Sequence, residues 1–320
     1  MDNCRIVVFN DFEREGVKAY MRKVFPAYPL PYIDYCLDHS ADRTPSILVI
    51  NGEGDVVGCH QYFCTKALLN SEEIETQWGH DTILDQEYRK EAGVDFLLVR
   101  KKIPAFGLGL TETNAKMRKL MKSVFLNGVF NYYTLTPYAV LSPFQKLLKT
   151  KKTIMDISII KSGNKQYKRV HSANEIPIPN QGYWYKGYNE LDFIRDEAFL
   201  NQRFFNCKVH DYRVYASKDS YFVVREASYR GMPAVMLSDF RYNPADKSSA
   251  QTLMKAVRKL ARKSGYGIVY FVCGDKNIEA FIRRKLHYKT HMDFISSYKI
   301  SPDTTFSLTG GDSDAEFLKA

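Results

Sequence analysis

Trp78-Gly79-His80-Asp81-Thr82-Ile83-Leu84 runs through the polar stretch Asp85 to Gly93 into Val94-Asp95-Phe96-Leu97-Leu98-Val99-Arg100. The first seven residues read as the end of a strand. Val94, Leu97 and Leu98 share one face at helical spacing. The connection between them is short and carries Arg89, Lys90, Glu91, Ala92 and Gly93. A loop of this kind gathers free backbone N–H groups at a helix N-terminus, where they bind phosphate without a metal. The small residues Ala92 and Gly93 let the backbone come close to an anion. The plain alternative is an ordinary strand-loop-helix corner.

Working outward, the same order of elements occurs twice. In the first half, Ser46–Ile50 meets Asn51-Gly52-Glu53-Gly54 and then Asp55–Lys66, and Asn-Gly between such runs signals a hairpin. Strand Glu75–Leu84, the polar loop, helix Val94–Lys102 and strand Ala105–Leu110 follow. A helix from about Asn114 and strand Val129–Leu135 complete this half. In the second half, Tyr212–Ala216, Tyr221–Tyr229 and Pro233–Phe240 read as strands. A polar loop then leads into a helix with Leu253, Val257 and Leu260 on one face. Strand Gly267–Cys273, helix Asn277–Leu286 and strand His291–Lys299 close the order. Two units of identical order argue for duplication of one α/β domain. The Lys-rich stretch Lys146 to Arg169, followed by Pro177 and Pro179, places the boundary between domains at 1–150 and 165–320.

The chain has 320 residues, enough for two domains, and 45% hydrophobic residues, enough for a core. Its formal charge of +10 suits an anionic ligand, and charge alone does not separate a coenzyme from nucleic acid or a lipid surface. Cys4, Cys36, Cys59, Cys64, Cys207 and Cys273 are scattered without a C-x-x-C pair. No metal site or disulfide framework is expected, and the expected location is cytoplasmic. The start Met1-Asp2-Asn3-Cys4 lacks the basic and long apolar regions of a signal peptide, and no stretch approaches a membrane span.

The segment Arg89-Lys90-Glu91-Ala92-Gly93-Val94 resembles the acyl-CoA pyrophosphate loop of the GNAT N-acetyltransferases, written Gln/Arg-x-x-Gly-x-Gly/Ala. The Arg matches, Ala92 stands at the first Gly and Val94 at the last small position. The meander followed by strand-helix-strand-helix-strand is similar to the GNAT fold. The resemblance therefore covers nearly the whole chain as two tandem GNAT-like domains, each a mixed sheet flanked by helices. It implies an acetyl-CoA-dependent, or other acyl-CoA-dependent, N-acyltransferase acting on a primary amine of a small molecule, amino sugar or surface-glycan precursor. The loop Asn243 to Ser249 has neither Gly nor Arg at the pyrophosphate position. The cofactor site is thus expected in the first half, with the second half as a structural and substrate-shaping partner.

Acyl transfer to an amine needs a proton acceptor, donors for the oxyanion and an exit for the thiolate. The resemblance places Ile83 and Leu84 as backbone contacts for pantetheine and thioester. The base candidates are His80, Asp81 and Glu75. Strand alternation puts Glu75 and Asp81 on one face and His80 on the other. A bulge at Gly79-His80-Asp81 is the structural alternative. The family's Asn-x-x-Ala-x-x-x-Tyr helix matches at Asn114, but its Tyr position is Met121, which has no proton to give. Tyr132, Tyr133 or solvent is left to protonate the thiolate.

Other features read more plainly. His60 and Cys64 share a strand face without a third partner. Lys255, Arg258, Lys259, Arg262 and Lys263 read as one solvated helix face, continued in character by Arg283, Arg284 and Lys285. Phe199, Leu200 and Phe204 mark an amphipathic helix, in a run similar to one found in tandem GNAT-like proteins of bacterial surface-polysaccharide clusters. Tyr183, Trp184 and Tyr185 could line a cleft or join domains. Two other functions stay open: a Fem-type transferase using aminoacyl-tRNA, favoured by the basic faces, and a non-catalytic acyl-CoA-binding protein, favoured by Met121. The oligomeric state stays open as well.

Overall fold

A computed structural model of the chain describes residues 4–9, 11–40, 46–109, 124–177, 189–246, 248–278 and 287–312. The chain opens with β1 (Arg5–Val8), α1 (Arg14–Val24), α2 (Leu30–Ser40), β2 (Ile47–Ile50), β3 (Val56–Leu69) and β4 (Glu72–Leu84). A short 3-10 turn, Gln86–Arg89, precedes α3 (Gly93–Lys101), β5 (Phe106–Gly109) and β6 (Val124–Leu135). Next come α4 (Ser142–Leu147), β7 (Ile159–Ser162), β8 (Lys165–Val170), β9 (Leu191–Phe193) and α5 (Glu197–Leu200). The remainder is β10 (Tyr212–Ser217), β11 (Ser220–Tyr229), β12 (Met232–Tyr242), α6 (Ser249–Lys263), β13 (Ile268–Cys273), β14 (His287–Ser296) and β15 (Phe306–Ser307).

By packing, the chain forms two compact units. The first comprises Met1–Lys66, Ile74–Leu126 and Asp293–Pro302, and the second Ala67–Glu73, Asn127–Met292 and Asp303–Ala320. Strand pairing accounts for the placement of the segments that begin at Asn127 and Asp293. β5 pairs antiparallel with Asp293–Ser296, and β13 pairs antiparallel with residues 130–135 of β6. The closing strand of each sequence repeat thus lies beside the penultimate strand of the other repeat.

In the first unit, β2 is Ile-Leu-Val-Ile, buried throughout. Its period of two divides those side chains between layers. Leu48 and Ile50 pack with Val17, Met21, Ile33 and Leu37 of α1 and α2. Ile47 and Val49 pack with Tyr62, Leu84, Ala92 and Phe96 on the α3 side. The helix α3 is rotated from the sequence reading: Phe96 is its buried residue, whereas Val94 and Leu98 are exposed. A single large aromatic fills the space that the aliphatic residues were expected to share.

Both sequence repeats build the same hairpin. Asn70 and Ser71, at φ 51° and 73°, join β3 to β4, and Arg230 and Gly231, at φ 52° and 78°, join β11 to β12. Two consecutive positive φ values give the turn whose twist matches the flanking strands. In each repeat the hairpin's second strand then runs parallel to the strand after the helix: Trp78 registers with Phe106, and Ala234–Met236 with Ile268–Tyr270. In the second unit α6 buries Ala250, Leu253, Met254, Val257, Leu260 and Ala261. Its basic face is not simply solvated: Arg258 donates to the Leu135 carbonyl and Lys259 to that of Lys161. Their long stems lie along the surface and bring the charged heads to strand-end acceptors.

Candidate functional site

The feature that makes a site is an irregularity in β4. Asp81 has φ 46°, in the left-handed region that costs a residue with a Cβ about 1–2 kcal/mol. Its effect is visible at His60 on β3. A Cβ on Gly79 would lie 2.9 Å from His60 Nε2, and the Thr82 hydroxyl sits 2.6 Å from His60 Nδ1. Residues 79 and 82 therefore face the same side, which strict alternation forbids. Between them His80 and Asp81 both face the other side. The alternation expected to part these two side chains is corrected by this bulge.

The bulge assembles a dyad. His80 Nδ1 lies 2.9 Å from Asp81 Oδ2, and Asp81 Oδ1 accepts a hydrogen bond from the Tyr28 hydroxyl at 2.9 Å. The imidazole stacks on Phe63, with ring centroids 4.2 Å apart. A carboxylate beside Nδ1 holds the proton there and leaves the lone pair on Nε2, the arrangement of a positioned general base. His80 Nε2 is buried and has no hydrogen-bond partner among the described residues. An unpaired buried polar atom costs about 1–3 kcal/mol, so this nitrogen is suited to a ligand. His60 is also buried, and burial holds its pKa well below the ordinary histidine range. It faces the α3 side and is bonded to Thr82.

The connection after β4 is tied down by charge. Tyr20 donates to the Val57 carbonyl and to Asp85 Oδ1, and Lys23 pairs with Asp85 Oδ2 at 3.0 Å. Arg89 Nε donates to the Leu84 carbonyl at 3.0 Å. The exposed remainder of that guanidinium is left without a protein partner among the described residues. Glu91 accepts from the Cys4 backbone N–H, and the buried Ala92 packs on Leu84 and Phe96. Gly93 opens α3, so the first-turn N–H groups of Gly93, Val94 and Asp95 face the loop end without intrahelical acceptors. Lys23, Asp85, Gln86, Glu87 and Lys90 line an open cavity of about 660 Å³ at the same connection.

The other expected residues are dispersed. Glu75 is exposed near the start of β4, Ile83 is half-buried against the α1 layer, and Leu84 is buried with its carbonyl bound to Arg89. Tyr132 and Tyr133 belong to the second unit. Tyr132 packs in its core against Phe271, and Tyr133 lies against Tyr229 and Tyr270. Burial pushes the Tyr133 hydroxyl above its ordinary pKa. Asn114, Met121, Tyr183, Trp184, Tyr185, Lys247 and Arg283 to Lys285 lie outside the described residues.

The second unit has its own bulge at the matching place. Val223 pairs with Asp239 and Val224 with Leu237, leaving Ser238 as the extra residue of β12. Asp239 is fully buried and receives Arg195 Nε and Nη2 at 3.0 Å, the Tyr221 hydroxyl at 2.5 Å, and the Thr309 hydroxyl. Arg195 also pairs with Asp312 at 2.5 Å. Burial disfavours the Asp239 charge, but Arg195 and Arg241 outweigh it and hold the carboxyl below its ordinary pKa. A Cβ on Gly311 would lie 3.0 Å from Asp239, so glycine lets the loop 309–312 close over this carboxylate.

Comparison of the whole structure with solved structures then fixes the architecture. A GCN5-related N-acetyltransferase from Anabaena variabilis aligns over 92% of this chain and 72% of its own, with TM-score 0.60 and 10% identity. A protein from Enterococcus faecalis described as a probable N-acyltransferase aligns over 92% and 72%, with TM-score 0.59 and 11% identity. The chain carries the GNAT fold. The N-myristoyltransferase of Saccharomyces cerevisiae with bound myristoyl-CoA aligns over 94% of this chain and 84% of its own, with TM-score 0.57 and 9% identity. No protein-family model matches the chain, and no characterised protein matches it in sequence. Within the GNAT fold, the first unit's β4–α3 corner is the element that the sequence pattern singled out.

Proposed function

We propose that this protein is an acyl-CoA-dependent N-acyltransferase whose working site is the β4–α3 corner of the first unit. The observation that carries the reading is His80, set by Asp81 and presenting a buried Nε2 with no partner among the described residues. Support for the cofactor comes from the donor set at the same corner: exposed Arg89 and Lys90, and the open first turn of α3. These donors fit a pyrophosphate, with charge-assisted bonds from Arg89 and Lys90 and backbone N–H groups from Gly93, Val94 and Asp95. Ala92 and Gly93 keep the loop low, and Ile83 and Leu84 supply main chain along the expected pantetheine path. A bound acyl-CoA supplies an activated thioester carbonyl.

The chain's own contribution is proton handling. His80 Nε2 takes a proton from the acceptor ammonium or amine, and Asp81 stabilises the imidazolium that results. The amine nitrogen forms the new C–N bond as the C–S bond breaks, and the thiolate leaves to be protonated by solvent or a hydroxyl. The acceptor is a primary amine of a small molecule, amino sugar or surface-glycan precursor, reached from the side of Tyr28 and Phe63. Acetyl-CoA is the first acyl donor to try, and the second unit is read as a structural partner that shapes the substrate site.

The test is thiol release from acetyl- and longer acyl-CoA with a panel of amines. Amine-dependent release that depends on His80 is expected. Binding of acyl-CoA with no turnover of any amine would favour a non-catalytic binding protein. No binding at all would remove the cofactor assignment.

A further inference from the structure

The second unit carries an apolar row that its own core leaves outside. The 3-10 turn Pro137–Leu141 and α4 follow β6, and along them Val140 is 75% exposed, Phe144 64%, Leu147 79% and Leu148 75%. Leu141 and Tyr138 add to the same exposed stretch. These residues recur at spacings of three and four, which gathers them on one side. Scattered exposed apolar residues need no explanation, but a contiguous row of large ones marks a contact surface.

The row is not a frayed end. Its opposite side is pinned to the second unit at the start of β13. Thr136 N donates to the Gly267 carbonyl at 2.9 Å, and the Thr136 hydroxyl donates to that of Tyr266 at 2.5 Å. A Cβ on Gly267 would meet Ser142 Oγ at 2.2 Å and Ala139 Cα at 2.7 Å, so only glycine lets this element seat. Downstream, Lys152 donates to the Gly265 carbonyl, and Ile154 N donates to Glu226 at 2.9 Å. The element is held with its polar anchors inward and its apolar side chains outward.

Charge identifies the partner. Lys146, Lys149 and Lys151 are exposed on the same short segment, and no Asp or Glu occurs between Asn127 and Met155. Lys146 lies over the β11–β12 turn, where the exposed Arg230 adds a further cation. Large apolar side chains rimmed by Lys and Arg have the composition of an interfacial membrane contact. A second copy of the chain is a poorer match, because a two-fold pairing of this face would set its cations against one another. No helix among the described residues is long and apolar enough to cross a membrane, so the contact would be peripheral.

We propose that Pro137–Leu148 docks the protein on an anionic lipid bilayer. Val140, Phe144, Leu147 and Leu148 enter the boundary between headgroups and acyl chains, and Lys146, Lys149, Lys151 and Arg230 meet the headgroup phosphates. This surface is separate from the β4–α3 corner and does not depend on the catalytic reading.

The experiment is co-sedimentation of the full chain with vesicles of mixed phosphatidylglycerol and phosphatidylcholine, against phosphatidylcholine alone, with the oligomeric state followed by light scattering. Binding to the anionic vesicles is expected. The double charge reversal Lys149→Glu with Lys151→Glu should weaken it at least about tenfold, since each cation near such a surface contributes a factor of about five. The exposed-residue variant Phe144→Ser with Leu147→Ser should weaken it by a further factor of roughly ten or more, with the thermal midpoint unchanged. Absence of vesicle binding would overturn the proposal, as would binding that neither variant alters. So would a dimer in solution that the Phe144 and Leu147 variant dissociates, because the face would then belong to a second copy.

Discussion

Two β-bulges, one in β4 and one in β12, occupy the same place in the repeated topology and differ in how their polar groups are paired. At the first, His80 and Asp81 share one face of β4 and leave a ring nitrogen without a partner among the described residues. At the second, Asp239 of β12 is neutralised by Arg195 and Arg241 and closed over by the chain's own loop 309–312. The connections that follow differ in the same sense. The first carries Arg89, Lys90 and Gly93, while the second ties Asp246 to Ser248 and to Lys165. A duplicated corner can be kept as a binding site or filled as core. Which outcome holds is read from whether its buried polar atoms are already satisfied.

The contrast can be broken most sharply at His80. His80→Gln should lower kcat/KM by roughly 10²- to 10⁴-fold, with acyl-CoA affinity nearly unchanged. An unaltered kcat/KM would take histidine out of the mechanism and leave Asp81, Glu75 or a water chain. At the second bulge the effect should be on stability. Asp239→Asn leaves Arg195 buried with one carboxylate fewer and should cost about 3–5 kcal/mol in urea unfolding. Because the Asp239 pKa is depressed in the folded protein, its contribution is present above about pH 4 and is lost as pH falls through the lower folded value. Asp239→Asn should therefore flatten the acid limb of stability, and an unchanged acid limb would mean that the network is dispensable.

Two smaller effects separate the corners further. Arg89→Ala should weaken acyl-CoA binding by about 1.5–3 kcal/mol, roughly ten- to hundredfold, while Lys247→Ala changes it little. A larger loss from Lys247→Ala would move the cofactor to the second unit. His60 is the mildest case. Its folded pKa is depressed by burial, so the unfolded chain binds more protons as pH drops below about 6.5. First-unit stability should then fall by at most about 1.4 kcal/mol per pH unit in that window, and His60→Gln should abolish the slope.

Much of the architecture was legible because strand runs, turns and helix faces repeat in one order. Ile47–Ile50, the Asn51 turn, the α6 stripe and β13 all follow from periodicity and turn chemistry. The bulge was not. Strand alternation parts His80 from Asp81, and only the backbone conformation at Asp81, with φ 46°, brings them together. Tyr28, the partner of Asp81, is 53 residues away in sequence and carries no local signal. The Arg195–Asp239–Asp312 network was hidden for the same reason, since it joins residues from three distant segments. Exposure of Val140, Phe144, Leu147 and Leu148 was also illegible, because Leu and Phe in a helix-like stretch read equally well as core.

The most direct measurement is a calorimetric titration of the full chain with acetyl-CoA and longer acyl-CoA thioesters, repeated on Arg89→Ala. One open corner and one filled corner predict a single equivalent bound per chain, with affinity reduced about ten- to hundredfold by Arg89→Ala. Two equivalents per chain, or one equivalent unaffected by Arg89→Ala, would contradict the assignment of the site to the first unit.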